Sequence, residues 1–502
     1  MKQQIFKTIL IVALPLMFIG NMGCKKFLDR KPLQATLEDL GQGGLEGLAF
    51  GLYSAFTDRN GSYHAFNSIP YFAIHCFRDD DSRLGSDNVE ASDWKSIYDA
   101  FEYNKQHWST QIYWEQTYNL IYKSNTLLQF ADSLQLNDAP SKVNIAEAKF
   151  FRAMAYFNLV RSFGSVPKIT NRIYTPNDAK KAKSTVAEIY ALIDEDLNYA
   201  IANLPDNWLN SAGNNLYPGR LVKYTAVGLA AKTKLYRQDW NGALGLCKQV
   251  ISSGKYSLLG NYATNFMVAG ENGTESLYEV QAANDAKSVI NTGYEFGVEQ
   301  GMRGSGDWDL GWGWNVPISN LVNDYESGDK RKNASILFAG QDDGYGKTVP
   351  SYPAVSVQPY WNRKVYPEPS MQTSTGNRTN KWLNHVLIRY ADILLMAAEA
   401  ANEIGGASNN TDATTWINLV RNRAGLGNIT YTTQAVMRTA IKKERRFEFA
   451  LEGERFFDLV RWGDAVSILG PAGYSEPCEK YLPLPQSAID FAGGVLVQNP
   501  CY

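Results

Sequence analysis

The sequence predicts a mainly α protein: a tetratricopeptide-like scaffold of helix pairs with a loop-rich insertion face carrying short strands. Three observations point there. Apolar residues recur at helical spacing over long segments on either side of the chain's middle. Small residues sit where antiparallel helices would cross. The stretch from about 255 to 385 abandons that periodicity for Gly, Trp, Tyr, Asn, Ser and Pro.

In chain order, the first element is a leader. Lys2 and Lys7 precede the apolar run Ile9–Ile19, and Asn21-Met22-Gly23 follow it. This is a secretory signal, too short to span a bilayer. Cys24, directly after the small residue, resembles the lipidated first residue of a bacterial lipoprotein. Several acyl chains on one cysteine anchor stably, at roughly 0.8 kcal/mol per buried methylene. The chain therefore divides into a signal peptide at 1–23 and a single body at 24–502.

Within the body, Phe150, Ala153, Met154, Phe157 and Val160 form one helical stripe, closed by Gly164 and Pro167. Leu387, Ala391, Leu394, Leu395 and Ala398 form another, closed by Gly405-Gly406. Further helices are expected near 113–136, 185–203, 220–237, 240–252, 412–424 and 433–462. Ala153, Ala155, Ala397, Ala398 and Ala400 permit close helix crossings. The helical scaffold is thus expected over about 24–254 and 386–502, with the loop-rich face at about 255–385. An irregular insertion of that length is usually functional or disordered.

Charge names no partner. Lys plus Arg number 49 against 51 Asp plus Glu, so no global field points to nucleic acid. Cys76, Cys247, Cys478 and Cys501 are too few and too scattered for a disulfide framework, and no C-x-x-C pair suggests zinc. Cys247 sits in an apolar helical pattern and reads as core, while Cys478 and Cys501 could pair in an oxidising compartment.

Aromatic residues abound, at 12 Trp, 29 Tyr and 22 Phe, and most must be core. The densest loop-borne group is Asp307-Trp308-Asp309-Leu310-Gly311-Trp312-Gly313-Trp314-Asn315. Flat indoles can stack on the apolar face of a sugar ring, and neighbouring Asp and Asn can fix its hydroxyls. Core packing is the competing reading for Trp308, Trp312 and Trp314. Trp361, beside Tyr360 and Arg363, is a weaker candidate of the same kind. No catalytic constellation emerges: no G-x-S-x-G elbow appears, and His64, His75, His107 and His385 form no H-x-x-x-H pair. Gly340 to Thr348 has one residue too many for a phosphate-binding loop. Asp79 to Glu90 has the length of an EF-hand loop but places Arg83 at a ligand position and Leu84 where glycine is required. A calcium site of a different geometry stays open for this segment; otherwise no cofactor or metal is expected.

Three stretches together resemble the SusD/RagB family of outer-membrane nutrient-binding lipoproteins. The first is Cys24-Lys25-Lys26-Phe27-Leu28-Asp29 with Pro32. The second joins Trp114, Tyr118, Ile121 and Asn125 to the run Glu147–Phe157 and then to Phe163-Gly164-Ser165-Val166-Pro167. The third comprises Arg389-Tyr390-Ala391-Asp392, Asn418–Leu426, Glu444-Arg445-Arg446, Glu452–Gly463, Tyr481–Pro485 and Gln498-Asn499-Pro500.

The resemblance implies a lipid-anchored protein of the outer membrane that faces the cell exterior. It also implies a SusC-like TonB-dependent transporter barrel as partner, with an oligosaccharide as cargo. Relatives of the RagB kind suggest oligopeptides as the alternative. It further draws attention to the acidic segment, adding Asp81, Arg83 and Trp94 to the candidate ligand contacts. The acids and arginines of Glu444–Asp458 read as structural ion pairs, as do Glu147 and Arg152.

Overall fold

The computed structural model describes residues 43–56, 66, 68–85, 95–282 and 295–502. The account below concerns the compact unit Ala49–Tyr502. The expected signal segment 1–23, the expected lipidation site Cys24 and the candidate contact Trp94 lie outside the described residues.

The scaffold helices are α1 (Trp108–Ser133), α2 (Ala139–Phe163), α3 (Val186–Asn203), α4 (Lys223–Tyr236), α5 (Trp240–Ser252), α6 (Tyr390–Ile404), α7 (Ala407–Arg423), α8 (Gln434–Glu448) and α9 (Arg455–Trp462). Their starts follow local chemistry. The Asp138 carboxylate accepts the Ser141 N–H at 3.0 Å ahead of α2, and Thr185 with Glu188 forms a reciprocal capping box on α3. The Asp239 carboxylate does the same for Gly242 at the head of α5.

Each helix packs on the next, α1 on α2, α2 on α3, α3 on α4 and α4 on α5. The row then continues from α5 directly to α6, although residues 253–389 intervene. The loop-rich face is therefore an excursion that leaves and re-enters between two neighbouring helices. Between α2 and α3 a minimal pair, β2 (Val166–Pro167) with β3 (Lys183–Ser184), lies on the scaffold, and the neck of the excursion is a short antiparallel pair, β4 (Ser276–Val280) with β8 (His385–Arg389). The Thr225 hydroxyl of α4 donates to the Leu277 carbonyl at 2.7 Å and fastens this neck to the scaffold. Leu387 lies in β8, not in a helix as its spacing suggested, because α6 begins only at Tyr390. From Tyr390 to Asn402 every residue of α6 is buried, which makes it the central element.

The face itself holds two further pairs. β1 (Ser82–Gly85) runs antiparallel to β5 (Trp314–Pro317), and β6 (Ile336–Phe338) to β7 (Tyr360–Asn362). Buried charges fix it to the helices. The Glu448 carboxylate on α8 accepts from Arg331 at 3.1 Å and also from Arg389 and Arg423. Arg331 reaches Glu444 at 2.6 Å and Asp329 at 2.8 Å, and Glu275 meets Arg389 at 3.2 Å and Arg423 at 3.1 Å. Arg331, Arg389, Glu448 and Glu275 are all buried. Such charges are tolerated only when fully paired. Elsewhere Arg152 clamps Asp196 at 2.7 Å, and Arg445 bridges Asp392 at 2.8 Å and Asp458 at 2.9 Å.

The expected helix over 433–462 is two helices. Leu451, between α8 and α9, takes a left-handed φ of +66°, and its carbonyl accepts the Asn315 side-chain amide at 3.0 Å. The break sends Glu452 inward to Arg389 at 3.0 Å and to the Lys364 ammonium at 2.6 Å. Helical periodicity reports the apolar stripe but not this demand from the ion network. Cys478 and Cys501 are joined in a disulfide that ties down the C-terminus, and Cys76 and Cys247 are buried free thiols.

Two outcomes follow. Replacing Glu448→Ala leaves three guanidinium groups short of a buried partner, so denaturant titration should show a loss of about 3–5 kcal/mol. His385 is stacked on Phe296 with ring centroids 3.7 Å apart, and desolvation pulls its pKa down to about 3. The folded state then binds fewer protons than the unfolded chain between about pH 6.5 and 3. Stability should fall through that window as the pH is lowered, by on the order of 5 kcal/mol from this one ring. The slope of stability against pH should flatten by about one proton in His385→Phe relative to the parent.

Candidate functional site

The loop-rich face is built from a backbone pairing that regular strand assignment does not register. The N–H groups of Leu310, Trp312 and Gly313 donate to the carbonyls of Met302, Val298 and Gly301 at 2.9, 3.0 and 2.8 Å. The two chains nest closely: a Cβ on Gly311 would stand 2.1 Å from the Val298 oxygen. Gly313 adopts φ +74°, and a Cβ there would meet the Trp361 ring at 2.9 Å.

That single left-handed residue sorts the tryptophans. In a regular strand residues 312 and 314 would share a face. Here Trp312 is 51% exposed and Trp314 only 5%. Trp361 is wholly buried, in a core with Met302, Leu310, Val316, Leu337 and Val349, and its indole N–H donates to Ser356 at 3.1 Å. Trp314 and Trp361 are thus corrections to the expectation: both serve as packing, and neither offers a face to a ligand. Trp308 is half-buried, one side on that same core.

Beyond Trp308 runs a row of rings. Trp308 lies 6.5 Å from Tyr366, and Tyr366 stacks on Tyr345 at 6.1 Å with only 16° between planes. Tyr345 is 42% exposed, at the tip of a tight turn in which the Asp343 N–H donates to the Lys347 carbonyl at 2.9 Å. The buried Asp343 carboxylate accepts the Tyr366 hydroxyl at 2.7 Å and the N–H groups of Tyr345 and Lys347. Against partial desolvation, these donors and the nearby Arg363 guanidinium hold its pKa below the usual carboxylate value. It stays ionised and locks the row.

Two arginines are tied to the segments that carry these rings, and a third stands on β1 of the same face. Arg378, exposed, donates to the Gly306 carbonyl on the turn that carries Trp308. Arg363 donates to the Asp343 carbonyl at 2.7 Å. Arg83, exposed on β1, donates to the Gln358 side chain and sits in register with Val316 of the strand that follows Trp312. Asp307 and Asp309 are exposed on the Trp308 turn.

Asp81 is a further correction. Its side chain is buried, and it accepts from Arg446 at 2.7 Å, with Arg455 at 3.7 Å. Desolvation outweighs those two cations and raises its pKa to about 6. Asp80 binds Arg455 at 2.7 Å, and Asp79 accepts the N–H groups of Asp81 and Ser82 at 2.9 Å. Asp80 and Asp81 fasten the start of β1 to helices α8 and α9, and the Asp81 side chain is buried out of a ligand's reach.

Sequence reasoning passed over Tyr345, Tyr366 and Arg378. A signal for Tyr345 was present: Gly344-Tyr345-Gly346 repeats the pattern of Gly311-Trp312-Gly313. It was masked by its near-match to a phosphate loop.

An open aromatic surface, bordered by arginines and carried on an excursion from a helical-repeat scaffold, defines a ligand-binding protein of the helix-pair class. Comparison with known proteins makes that specific. Residues 274–475 match the model described as "SusD family", and residues 75–235 match "Starch-binding associating with outer membrane". The chain is 30% identical to SusD-like protein P2 of Formosa agariphila over 78% of this chain and 80% of that one. It is 24% identical to SusD-like protein P25 of the same organism, over 92% of each. A solved structure described as "Laminarin binding SusD-like protein" is 28% identical with a TM-score of 0.75, covering 91% of this chain and 99% of that one. The chain belongs to the SusD/RagB family.

The geometry makes Gly313→Ala a sharp test. Gly340 also has a positive φ, of +78°, but open space around it, so Gly340→Ala carries the backbone penalty alone, about 1 kcal/mol. Gly313→Ala adds the clash with Trp361 and should cost about 2–3 kcal/mol in denaturant titration.

Proposed function

We propose that this chain is a non-catalytic lipoprotein of the outer membrane, anchored through Cys24 and facing the cell exterior. It captures an oligosaccharide and passes it to a SusC-type TonB-dependent transporter. The observation that carries this reading is Trp312, a 51% exposed indole on backbone whose N–H groups at 310, 312 and 313 are already bonded. An exposed flat ring of this kind suits the apolar side of a sugar, with Asp307 and Asp309 near enough in sequence to meet hydroxyls.

An extended peptide would instead be recognised through free backbone donors and acceptors. The N–H groups at 310, 312 and 313 are already bonded, which favours a glycan over an oligopeptide. The 28% identical relative described as laminarin binding supports the same ligand class. The match to a model described as associating with the outer membrane supports the location. Exchange of hydrogen bonds with water leaves little net gain per hydroxyl, so affinity at one site is modest. Retention near the transporter raises the effective concentration.

The test is calorimetric titration of the soluble body, begun after Cys24, with panels of oligosaccharides and oligopeptides. Saturable heat with a glycan class is expected, and Trp312→Ala and Tyr345→Ala should each weaken it about tenfold, ~1.4 kcal/mol. The glycan should be recovered intact after prolonged incubation. Saturable binding of peptides alone, or cleavage of the glycan, would overturn the proposal.

A further inference from the structure

Resting on that glycan-capture reading, we infer that the face selects an anionic oligosaccharide, its aromatic row aligning the chain while Arg378, Arg363 and Arg83 receive an oxyanion borne on the sugar.

The argument begins with where this protein keeps its arginines. In the scaffold and neck most are joined to carboxylates: Arg152 to Asp196, Arg220 to Glu147, Arg331 to Glu444, Arg389 to Glu448, Arg421 to Glu326, Arg438 to Glu403, Arg445 to Asp458, Arg455 to Asp80 and Arg461 to Glu399, while the buried Arg78 is held by the Ile74 carbonyl and Phe456, and Arg172 lies over Tyr174. Around the aromatic row the pattern changes. Among the described residues, the hydrogen bonds of Arg378, Arg363 and Arg83 go only to neutral oxygens, those of the Gly306 carbonyl, the Asp343 carbonyl and the Gln358 amide. Each guanidinium has five N–H donors, so several remain on each for a ligand.

These single anchors fix the guanidiniums without neutralising them. Arg378 is tied to the turn Gly306–Trp308, and Arg363 is tied to the residue whose side chain holds Tyr366. Both cations are thereby attached to the two ends of the Trp308–Tyr366–Tyr345 row. Arg363 has the Asp343 carboxylate close by, and the Tyr366 hydroxyl and two backbone N–H groups already occupy it. A planar fork beside a stacking ring is the arrangement that binds a carboxylate or sulfate through two parallel hydrogen bonds. A neutral sugar needs no such fork.

Asp307 and Asp309 sharpen the reading. They stand on the Trp308 turn, exposed, and make no ion pair with Arg378 among the described residues. They repel an oxyanion from their own side of the turn and so set the register of a charged chain along the row.

The experiment titrates the intact soluble body with three probes of similar length: laminarihexaose (neutral), a galacturonic acid oligomer (carboxylate) and a sulfated carrageenan oligosaccharide. A charged probe should bind at least about tenfold more tightly than the neutral one. Its affinity should fall as salt rises from 50 to 500 mM, which the neutral probe's should not. Which charged probe wins identifies the oxyanion. Arg378→Met should weaken the charged probe about tenfold and spare the neutral one. Asp307→Asn should strengthen the charged probe. The salt series on the parent protein needs no variant, so a poorly folding substitution does not blunt the test. Binding of the neutral probe alone, indifferent to salt and to Arg378→Met, would overturn this inference and leave glycan capture standing. Silence with all three probes alongside saturable binding of oligopeptides would overturn both.

Discussion

The constraint on which the rest depends is the buried carboxylate of Glu448. Taking an ion pair out of water costs several kcal/mol per ion, and only near-complete pairing offsets it. Glu448 meets this with Arg331 from the insertion, Arg389 from the neck and Arg423 from α7. Those partners come from three separate parts of the chain, so the pairing can be complete only when all three parts are seated. Coulombic attraction from the three cations overcomes desolvation and drives the Glu448 pKa far below the ordinary value, which keeps it charged at any physiological pH. A hydrophobic core of the same volume could give equal stability, but it would tolerate sliding. Paired charges with fixed hydrogen-bond geometry define one orientation of the face on the scaffold.

That orientation passes outward in short steps. Arg389 ends β8, β8 pairs with β4, and the neck so formed carries both ends of the excursion. The break after α8 directs Glu452 to Lys364, two residues beyond β7. Desolvation draws the Lys364 pKa down to about 8 despite the attraction of Glu452, so the ammonium is held by the network at some cost. Between Lys364 and Tyr366 the chain passes from the ion network to the aromatic row. Tyr366, in the middle of the row, is thus two residues from the buried Lys364, and a surface built on loops is tied directly to the ion network.

How much of this was legible in the sequence follows from the same physics. The helix through Phe150–Val160 read correctly because its apolar residues recur at helical spacing, although the sequence did not show that every residue of this stretch is buried. The helix expected over 433–462 did not, because its interruption answers to Glu452 and its long-range partners, which no local pattern encodes. The tryptophans divide the same way. Trp312, Trp314 and Trp361 are chemically alike, and only the left-handed turn at Gly313 and the core beneath it separate the exposed ring from the buried ones. Asp81 failed as a ligand contact because acidic clusters look the same whether they face solvent or Arg446. The pairing of Cys478 with Cys501 was open at the sequence level for a related reason: spacing permits a bridge, and only the Cα separation of 5.5 Å decides it.

The division between paired and unpaired arginines shows where stability ends and recognition begins. Removing a guanidinium such as that of Arg152, Arg389 or Arg445 strands a buried carboxylate, so these positions are fixed by folding. Removing Arg378 frees one backbone carbonyl at the surface, which water can satisfy. Residues of the second kind can change without endangering the fold, and they sit on the one surface where a change alters what is bound. A protein that must stay rigid against its neighbours while meeting different ligands gains from this separation. On the proposed reading, exposed rings such as Trp312 supply a stacking surface common to many sugars, and the loosely held cations supply the discrimination.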